Sequence, residues 1–496
     1  MVVLTGEREV EMYDVLVRGG TVVGPTGAEP LDLAVAGEQI AAVDRPGALG
    51  VEAKKVIDAT GCLVIPGGVD PHCHYSLSFG AVHAEPQEYT PAAAFGGTTT
   101  IIDFAFWQPP NTLHHAVREK QAEGAGRMAV DYGFHALLGT NPPFEVIEEI
   151  GDVIREGIPT IKTLTTYAWI SDDGHRFAVM SEVAEHGGLS IVHAEDDDIA
   201  NWLTAKYLRD GKTHGAYIVE TRGSLVEEAA VRRCMLLAER TGSPLYVFHI
   251  AAGSAALAVA AGRAKGRPIY GETLIAYLSF TADKLWDDEN RGLLWNNYPV
   301  IKHQEDQDVL WEAVADDRLQ VVSSDHFATS VADRFEKMGT TIDSLQAGQA
   351  SVEMRVPVLF HRGVQEGRIS LNRFVELIST NPAKIMGLYP RKGVLAAGSD
   401  ADIVVIDPAR TWTVRWQDHH MSSDYNCWEG WELKGKVMTT ILRGSVLVEN
   451  EQWVGSKTGG QYLSRKLLPE VVSGTPDLSA TFASSAAPVA PVPSGR

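Results

Sequence analysis

The chain has 496 residues, of which 45% are hydrophobic and 22% are charged, enough for one large domain and a smaller one. Its 43 Lys and Arg against 64 Asp and Glu give a formal net charge of −21, which argues against nucleic acid or an anionic membrane as a partner. The four cysteines form no closely spaced pair, which is typical of a reducing compartment. With no signal peptide and no apolar run of membrane-spanning length, we expect a cytoplasmic protein.

Short β-rich runs occur near both ends of the chain, separated by Gly, Pro and Asp turn signals. The early runs are "YDVLVRGGTVV", "LDLAVAGEQIAAV" and "KKVIDATGCLVIP", and the late ones are "SDADIVVIDP" and "GKVMTTILRGSVLVENEQWV". The shared texture predicts one small β-sandwich built from both termini, with residues 1–65 as its first part and residues 391–458 as its second.

Apolar, strand-like runs and helix-like segments alternate in the middle of the chain. The strand-like runs are "LVIPGGVDPHCH", "TTTIIDFA", "DYGFHALLG", "TIKTLTTY", "LSIVHAED", "PLYVFHIA", "IYGETLIAYL" and "LQVVSSDHF". Segments such as "SLVEEAAVRRCMLLAERTG" repeat their apolar residues at helical spacing. Eight such units predict an α/β fold, a (β/α)8 TIM-like barrel over residues 66–390. Residues 459–496 are predicted to form a C-terminal arm and a tail that is disordered from about Pro476.

Polar residues stand where these predicted strands end, and in such barrels the catalytic groups lie at that end of the strands. The histidines and the aspartate of this set are His72, His74, His193, His249 and Asp325. Taken singly, each has a simpler explanation, as a hydrogen-bonded core residue or a helix cap. Together, four histidines and an aspartate at one end of one barrel predict a metal site.

Lys162 is a charged residue inside an otherwise uncharged strand-like run. A protonated ammonium group is a poor metal ligand, but burial next to cations lowers the pKa of a lysine and frees its amine. A free amine can add carbon dioxide and form a carbamate, which can bridge two metal ions. This chemistry would explain a lysine in the cluster.

The set "DPHCH", Lys162, His193, His249 and "SDH" resembles the binuclear amidohydrolase superfamily. More closely, the chain resembles the dihydropyrimidinase and hydantoinase family of cyclic amidohydrolases. The resemblance extends from about Tyr13 to Leu468 and includes the runs "AAAFGGTTTIIDFA", "TNPAKIMGLYPRKGVLAAGSDADIVVIDP", "DYNCWEGWELKGKV" and "GGQYLSRKL".

The resemblance implies a ligand set for two divalent ions, with zinc expected. His72, His74 and Asp325 would hold one ion, His193 and His249 the other, and N6-carboxylated Lys162 would bridge them. It also implies that a hydroxide shared by the metals attacks a ring amide carbonyl. Asp325 would act as general base and then as general acid, and Tyr167, five residues after Lys162, would stabilise the oxyanion.

The segments that recognise substrate depart from the family pattern. Asn297, in "WNNYPVIK", stands where the family has a serine, and Ala347, in "SLQAGQASVEMR", stands where it has an asparagine. The loop from Ser76 to Glu85 also differs, and its His83 is more readily explained as an exposed loop residue than as a substrate contact. These departures concern substrate choice and leave the metal-ligand set complete.

Three other functions share part of this pattern. Dihydroorotase and allantoinase share the metal set, but dihydroorotase has an arginine where this chain has Ser76. Non-enzymatic assembly proteins related to dihydropyrimidinase have lost metal ligands, whereas all six ligand positions are present here. A deaminase on the same fold is disfavoured by Lys162 and Tyr167. We therefore expect an enzyme that opens the ring C–N bond of a hydantoin-like, dihydropyrimidine-like or related cyclic ureide or imide, with a different lactam or an allantoin-like ring as the alternative. The resemblance also implies a homotetramer in which the C-terminal arm contacts a neighbouring subunit.

Overall fold

The computed structural model describes residues 12–24, 27–50, 52–75, 85–167, 170–288, 290–337 and 339–473. Ser76, His83 and the tail after Pro476 lie outside these ranges. Within them, no helix is long and apolar enough to cross a membrane.

The strands form two sheets. In chain order they are β1 (Tyr13–Gly24), β2 (Gly27–Ala36), β3 (Gln39–Asp44), β4 (Ala53–Asp58), β5 (Leu63–Pro66), β6 (Gly68–Asp70), β7 (Thr98–Trp107), β8 (Asp131–Leu138), β9 (Thr160–Leu164), β10 (Leu189–His193), β11 (Leu245–Val247), β12 (Ile269–Leu274), β13 (Val321–Ser323), β14 (Ile403–Thr413), β15 (Glu432–Leu442), β16 (Ser445–Glu449) and β17 (Gln452–Trp453).

Most of the α-helices lie between barrel strands or directly after them. They are α1 (Pro86–Tyr89), α2 (Pro91–Phe95), α3 (Leu113–Gly124), α4 (Phe144–Glu148), α5 (Ile150–Arg155), α6 (Asp173–Glu185), α7 (Asp197–Arg209), α8 (Ile218–Thr221), α9 (Ser224–Thr241), α10 (Gly253–Arg263), α11 (Gln304–Ala315), α12 (Val352–Leu359), α13 (Leu371–Val375), α14 (Asn381–Ile385) and α15 (Pro469–Ser473). Short 3₁₀ turns cover Gly215–Tyr217, Ala282–Trp286, Arg291–Trp295 and Trp416–Asp418, and π-helical turns cover Asp333–Lys337, Phe360–Gln365 and Glu376–Thr380.

The smaller sheet is built from both ends of the chain, as predicted. Its strand order is β17-β16-β15-β14-β5-β1-β2-β3, with β4 paired to β1. The two ends meet where β5 runs antiparallel to β14, with Val64 opposite Val405. Buried Val, Leu and Ile side chains from both ends then share one cluster, which includes Val17, Leu33 and Ile403.

The larger sheet is the predicted barrel. Its eight strands run parallel in the order β6 to β13, and each predicted run overlaps one of them. Side chains on strands β7, β10, β11 and β12 fill the interior, among them Ile102, Ile191, Tyr246 and Tyr270. The α/β class and the barrel are therefore confirmed.

The prediction for the first barrel strand was wrong in its extent. The run "LVIPGGVDPHCH" divides, because Leu63–Pro66 pairs with β14 in the smaller sheet and only Gly68–Asp70 belongs to the barrel. Gly67 makes the transition: its N–H donates to the carbonyl of Asp402, and a Cβ at this position would collide with Thr99. His72 and His74 consequently follow the strand instead of lying on it.

Candidate metal centre

The first histidine pair lies directly opposite Asp325. Oδ1 of Asp325 is 3.1 Å from Nε2 of His72 and 3.0 Å from Nε2 of His74. Two contacts hold the segments together: Cys73 forms a β-bridge with His326, and the His74 N–H donates to the His326 carbonyl at 2.9 Å. The ends of the first and last barrel strands thereby place three ligand-type side chains within 4.8 Å of one another.

The second histidine pair lies beside the first. Nδ1 of His193, at the end of β10, is 2.9 Å from Nε2 of His249, two residues after β11. The rings of His72 and His249 are 5.2 Å apart between centroids. All four predicted histidines and Asp325 therefore belong to one cluster at the carboxyl ends of the strands.

Lys162 projects from β9 into an apolar part of the barrel interior. Its Nζ lies 4.3 Å from the ring centroid of Phe104 and 4.6 Å from that of Phe248. Burial lowers the pKa of Lys162 from 10.5 to about 8, although Asp325 and Glu272 act in the opposite direction. A minor fraction of the Lys162 side chains is thus free amine near neutral pH, and this is the form that can add carbon dioxide.

Two buried glutamates orient the histidines, and neither was predicted. Oε1 of Glu272, on β12, accepts a hydrogen bond from Nδ1 of His72 at 2.6 Å. Oε2 of Glu195 accepts one from Nε2 of His193 at 2.9 Å. A carboxylate on one ring nitrogen fixes the tautomer and directs the other nitrogen towards a metal. The sequence did carry a signal for Glu272, a lone acid inside the apolar run "IYGETLIAYL".

Three residues of the site have left-handed backbone conformations without being glycine. The φ angles are +69° at Tyr167, +38° at His249 and +49° at Asp325. Such conformations are unfavourable for residues with a Cβ, and they persist only where the surrounding structure holds them. Their clustering at the strand ends is typical of a functional site.

The donor set fits divalent metal ions. Nε2 of His72, which faces Asp325, is buried and has no hydrogen-bond partner among the described residues. Burial is the largest cause that lowers the pKa of His72, His193 and His249, so their imidazoles are neutral and able to ligate. A buried nitrogen left without a partner is unfavourable, and a metal ion would satisfy it.

The residues predicted to contact substrate lie next to the second histidine pair. The Tyr167 ring is 5.2 Å from that of His193 and 4.8 Å from that of Tyr298, between centroids. Asn297, which precedes Tyr298, is buried, and its Oδ1 has no partner among the described residues. The segment that contains Ala347 is joined to the same wall by a hydrogen bond from Gly348 N–H to the Asn296 carbonyl.

Known proteins match this chain over nearly its whole length. The model of the Amidohydrolase family matches residues 63–447. A D-hydantoinase of Geobacillus stearothermophilus is 36% identical over 455 residues, 91% of this chain and 96% of the relative. A D-hydantoinase of Streptomyces coelicolor is 35% identical and covers 91% and 97%. The crystal structure of a dihydropyrimidinase from Brevibacillus agri superposes with a TM-score of 0.87 at 35% identity, over 91% of this chain and 99% of that one.

Fold, site and family match together define an amidohydrolase, a class whose members use divalent metal ions. Within that class, the chain belongs to the hydantoinase and dihydropyrimidinase family. It is therefore a hydrolase that acts on cyclic amides.

Proposed function

We propose that this protein hydrolyses a ring C–N amide bond of a cyclic ureide or imide. Hydantoins and dihydropyrimidines are the first candidates, because the relatives are D-hydantoinases and a dihydropyrimidinase. Opening these rings would give N-carbamoyl amino acids. The observation that carries the proposal is the convergence of His72 and His74 on one oxygen of Asp325 at the mouth of the barrel.

Two divalent ions, zinc in the first instance, would bind this cluster. His72, His74 and Asp325 would hold one ion and His193 and His249 the other, with carboxylated Lys162 between them. When bound, the ions would lower the pKa of a water molecule and polarise the scissile carbonyl. The burial of Lys162 supports carboxylation, because it disfavours the ammonium form and leaves a free amine that can react.

The protein side chains would then perform the proton transfers. Asp325 would take a proton from the attacking water and deliver it to the departing ring nitrogen, as general base and then general acid. The Tyr167 hydroxyl would donate a hydrogen bond to the oxygen that becomes negatively charged in the transition state. Asn297 would contact the ring amide, since its buried amide oxygen has no partner among the described residues.

We also propose the domain division, assembly and location that the sequence indicates. A β-sandwich of residues 1–65 and 391–458 would flank a catalytic barrel of residues 66–390, followed by the arm and tail of residues 459–496. The pairing of β5 with β14 supports this division. The enzyme would be a cytoplasmic homotetramer.

The test is ring opening by protein of measured metal content. The panel contains hydantoins, dihydrouracil, cyclic imides, allantoin, dihydroorotate and simple lactams, and product is detected as the N-carbamoyl or ring-opened acid. Asp325→Asn should lose at least about 100-fold in kcat, because general acid–base catalysis contributes on the order of 10²–10⁴. Asp308→Asn, at an exposed position of α11, is the matched control and should behave as wild type.

The outcomes separate the alternatives. Turnover of a hydantoin or dihydrouracil supports the proposal. Turnover of only allantoin or a lactam would show that the substrate class is different, whereas the type of reaction, hydrolysis of a ring amide bond, would be as proposed. A fully metallated protein that opens no ring of the panel would overturn the proposal.

A further inference from the structure

One carboxylate oxygen joins the proposed metal site to the proposed oxyanion donor. Oε2 of Glu195 lies 2.9 Å from Nε2 of His193 and accepts a hydrogen bond from the Tyr167 hydroxyl at 2.7 Å. Nη1 of Arg222 is 3.3 Å from the same oxygen. Three groups of different function therefore converge on one atom.

Arg222 makes further contacts, and they surround Tyr167. Its Nη1 and Nη2 donate to the Thr166 hydroxyl at 3.3 and 3.2 Å. Its guanidinium carbon lies 4.6 Å from the ring centroid of Tyr167 and 5.4 Å from that of Tyr298. The backbone carbonyl of Arg222 accepts a hydrogen bond from Nζ of Lys302 at 2.6 Å. A planar guanidinium can pair with a carboxylate and stack on a ring at the same time, which lysine cannot do.

Tyr167 requires such support. Its φ of +69° is unfavourable for a bulky side chain, so the contacts around it decide where the hydroxyl points. Asp197 adds another contact, because its Oδ1 accepts from the Thr166 hydroxyl and from the Tyr167 N–H. Among the residues that the structure describes, only Arg222 contacts Thr166, the Tyr167 ring and Glu195, which accepts the hydrogen bond from the Tyr167 hydroxyl.

The hydroxyl of Tyr167 has one proton, which in this structure goes to Glu195. To stabilise an oxyanion, the Tyr167 hydroxyl must donate its hydrogen bond to the substrate instead of to Glu195. Glu195 then loses one of its donors. A buried carboxylate that loses a donor is unfavourable. Arg222 and His193 remain on Oε2, so this oxygen keeps two partners while Tyr167 turns.

We propose that Arg222 is a positioning residue for the ring-opening reaction, which holds Tyr167 in place and keeps Glu195 paired when the tyrosine hydroxyl moves to the substrate. The inference rests on the proposed function, in which Tyr167 stabilises the oxyanion. Arg222 itself does not touch the reacting atoms. Its effect must therefore pass through Tyr167, and this distinguishes it from a residue that only stabilises the fold or the metal.

The experiment is a double-mutant cycle on metal-loaded protein with the best substrate of the panel. Tyr167→Phe should lower kcat about 100- to 1,000-fold, the usual loss of one oxyanion donor. Arg222→Gln should lower kcat by up to about 100-fold with little change in KM, because small misplacements of a catalytic group have that effect. In the Tyr167→Phe background, Arg222→Gln should cost less than about 3-fold, because coupled residues are not additive.

Two further variants keep the test decisive. Arg222→Lys retains the charge but cannot stack and pair together, so it should lose most of what Arg222→Gln loses. Arg233 pairs with Asp196, next to Glu195 in the chain, at 3.0 Å, and Arg233→Gln is the matched control with unchanged kcat. Metal content and melting temperature are measured for every variant.

Each result has one meaning. Loss of kcat with full metal content and strong coupling to Tyr167 supports the inference. Loss of metal in Arg222→Gln, or losses that add to those of Tyr167→Phe, would overturn it. A variant that does not fold is replaced in the cycle by Arg222→Lys. An inactive wild type would be a failure of the proposed function, whereas an active wild type with unchanged Arg222 variants would be a failure of this inference alone.

Discussion

Lys162 is the residue of the site whose chemistry depends most on its surroundings. Burial brings its pKa to about 8, so on the order of one-tenth of the side chains are free amine at pH 7. Only the free amine adds carbon dioxide. At fixed dissolved carbon dioxide, the rate at which metal-free protein regains metal and activity should rise about tenfold per pH unit below pH 8 and level off above it.

The measurement is reactivation after chelation, followed from pH 6 to 9 with metal and carbon dioxide held constant. Lys162→Ala is the control: it should bind little metal, lack activity, and regain some activity with short carboxylic acids that substitute for the carbamate. Reactivation that does not depend on pH, or a fully active Lys162→Ala, would show that the amine is not carboxylated.

The residues found from the sequence stand out within their own segments. Lys162 is the one charged residue in "TIKTLTTY", and His193 follows directly after the strand-like run "LSIV". Arg222 lies in "ETRGSLVEE", where a charged residue is unremarkable. Its contacts with Tyr167 and Glu195 cross more than 20 positions of the chain, and no local pattern carries such information.

At the scale of elements, the barrel closes through side chains as well as strands. Arg355 is fully buried on α12, and its Nη1 donates to the carbonyls of Val69 on β6 and Val322 on β13, at 3.2 and 3.1 Å. Its Nε is 3.4 Å from Oδ2 of Asp70, and Oδ1 of Asp70 accepts from the Ser324 N–H at 3.3 Å. One guanidinium thus connects the first and last strands directly beneath the histidine pair.

Arg355→Lys should destabilise the protein by about 1–3 kcal/mol, because lysine keeps the charge beside Asp70 but leaves several buried carbonyls without a donor. The measurement is the midpoint of urea unfolding of the metal-loaded protein. Arg368→Lys is the matched control, since exposed Arg368 pairs with Glu366 at the surface and such pairs contribute at most about 1 kcal/mol. Equal midpoints for the two variants would show that Arg355 does not close the barrel.

The division of the first predicted strand shows why the first and last residues of a strand are harder to predict than the presence of the strand. "LVIP" and "GGVD" form one continuous apolar run, and nothing local assigns them to different sheets. The assignment comes from partners far along the chain, since Ile403 pairs with Pro66 and Thr98 with Gly68. Hydrophobic pattern predicts that a strand exists, whereas pairing decides where it ends.

At the scale of the whole molecule, the described part of the C-terminal arm lies against its own barrel. The Leu463 N–H donates to the Tyr132 carbonyl at 2.7 Å, and the Tyr132 N–H donates to the Gln461 carbonyl at 3.0 Å. The Arg465 N–H donates to the Gly157 carbonyl at 2.9 Å. These contacts lie at the start of β8 and just before β9, the amino ends of barrel strands, opposite the metal centre. The family resemblance implied an arm that contacts a neighbouring subunit, whereas these contacts of its described part are with the barrel of the same chain.

This placement predicts different effects for two truncations. Ending the chain after Thr458 removes the buried side chains of Leu463, Leu467 and Val471, each worth about 1.5–3 kcal/mol, so the loss should be on the order of 5 kcal/mol. Ending it after Ser473 removes only a segment rich in Ala, Ser and Pro and should change little. Urea unfolding measures the stability, and sedimentation measures the assembly.

Because the arm lies far from Asp325, the folded fraction of the shorter protein should keep its kcat. A shorter protein that keeps its stability but loses its oligomeric state would show that the arm binds a neighbouring subunit instead of its own barrel.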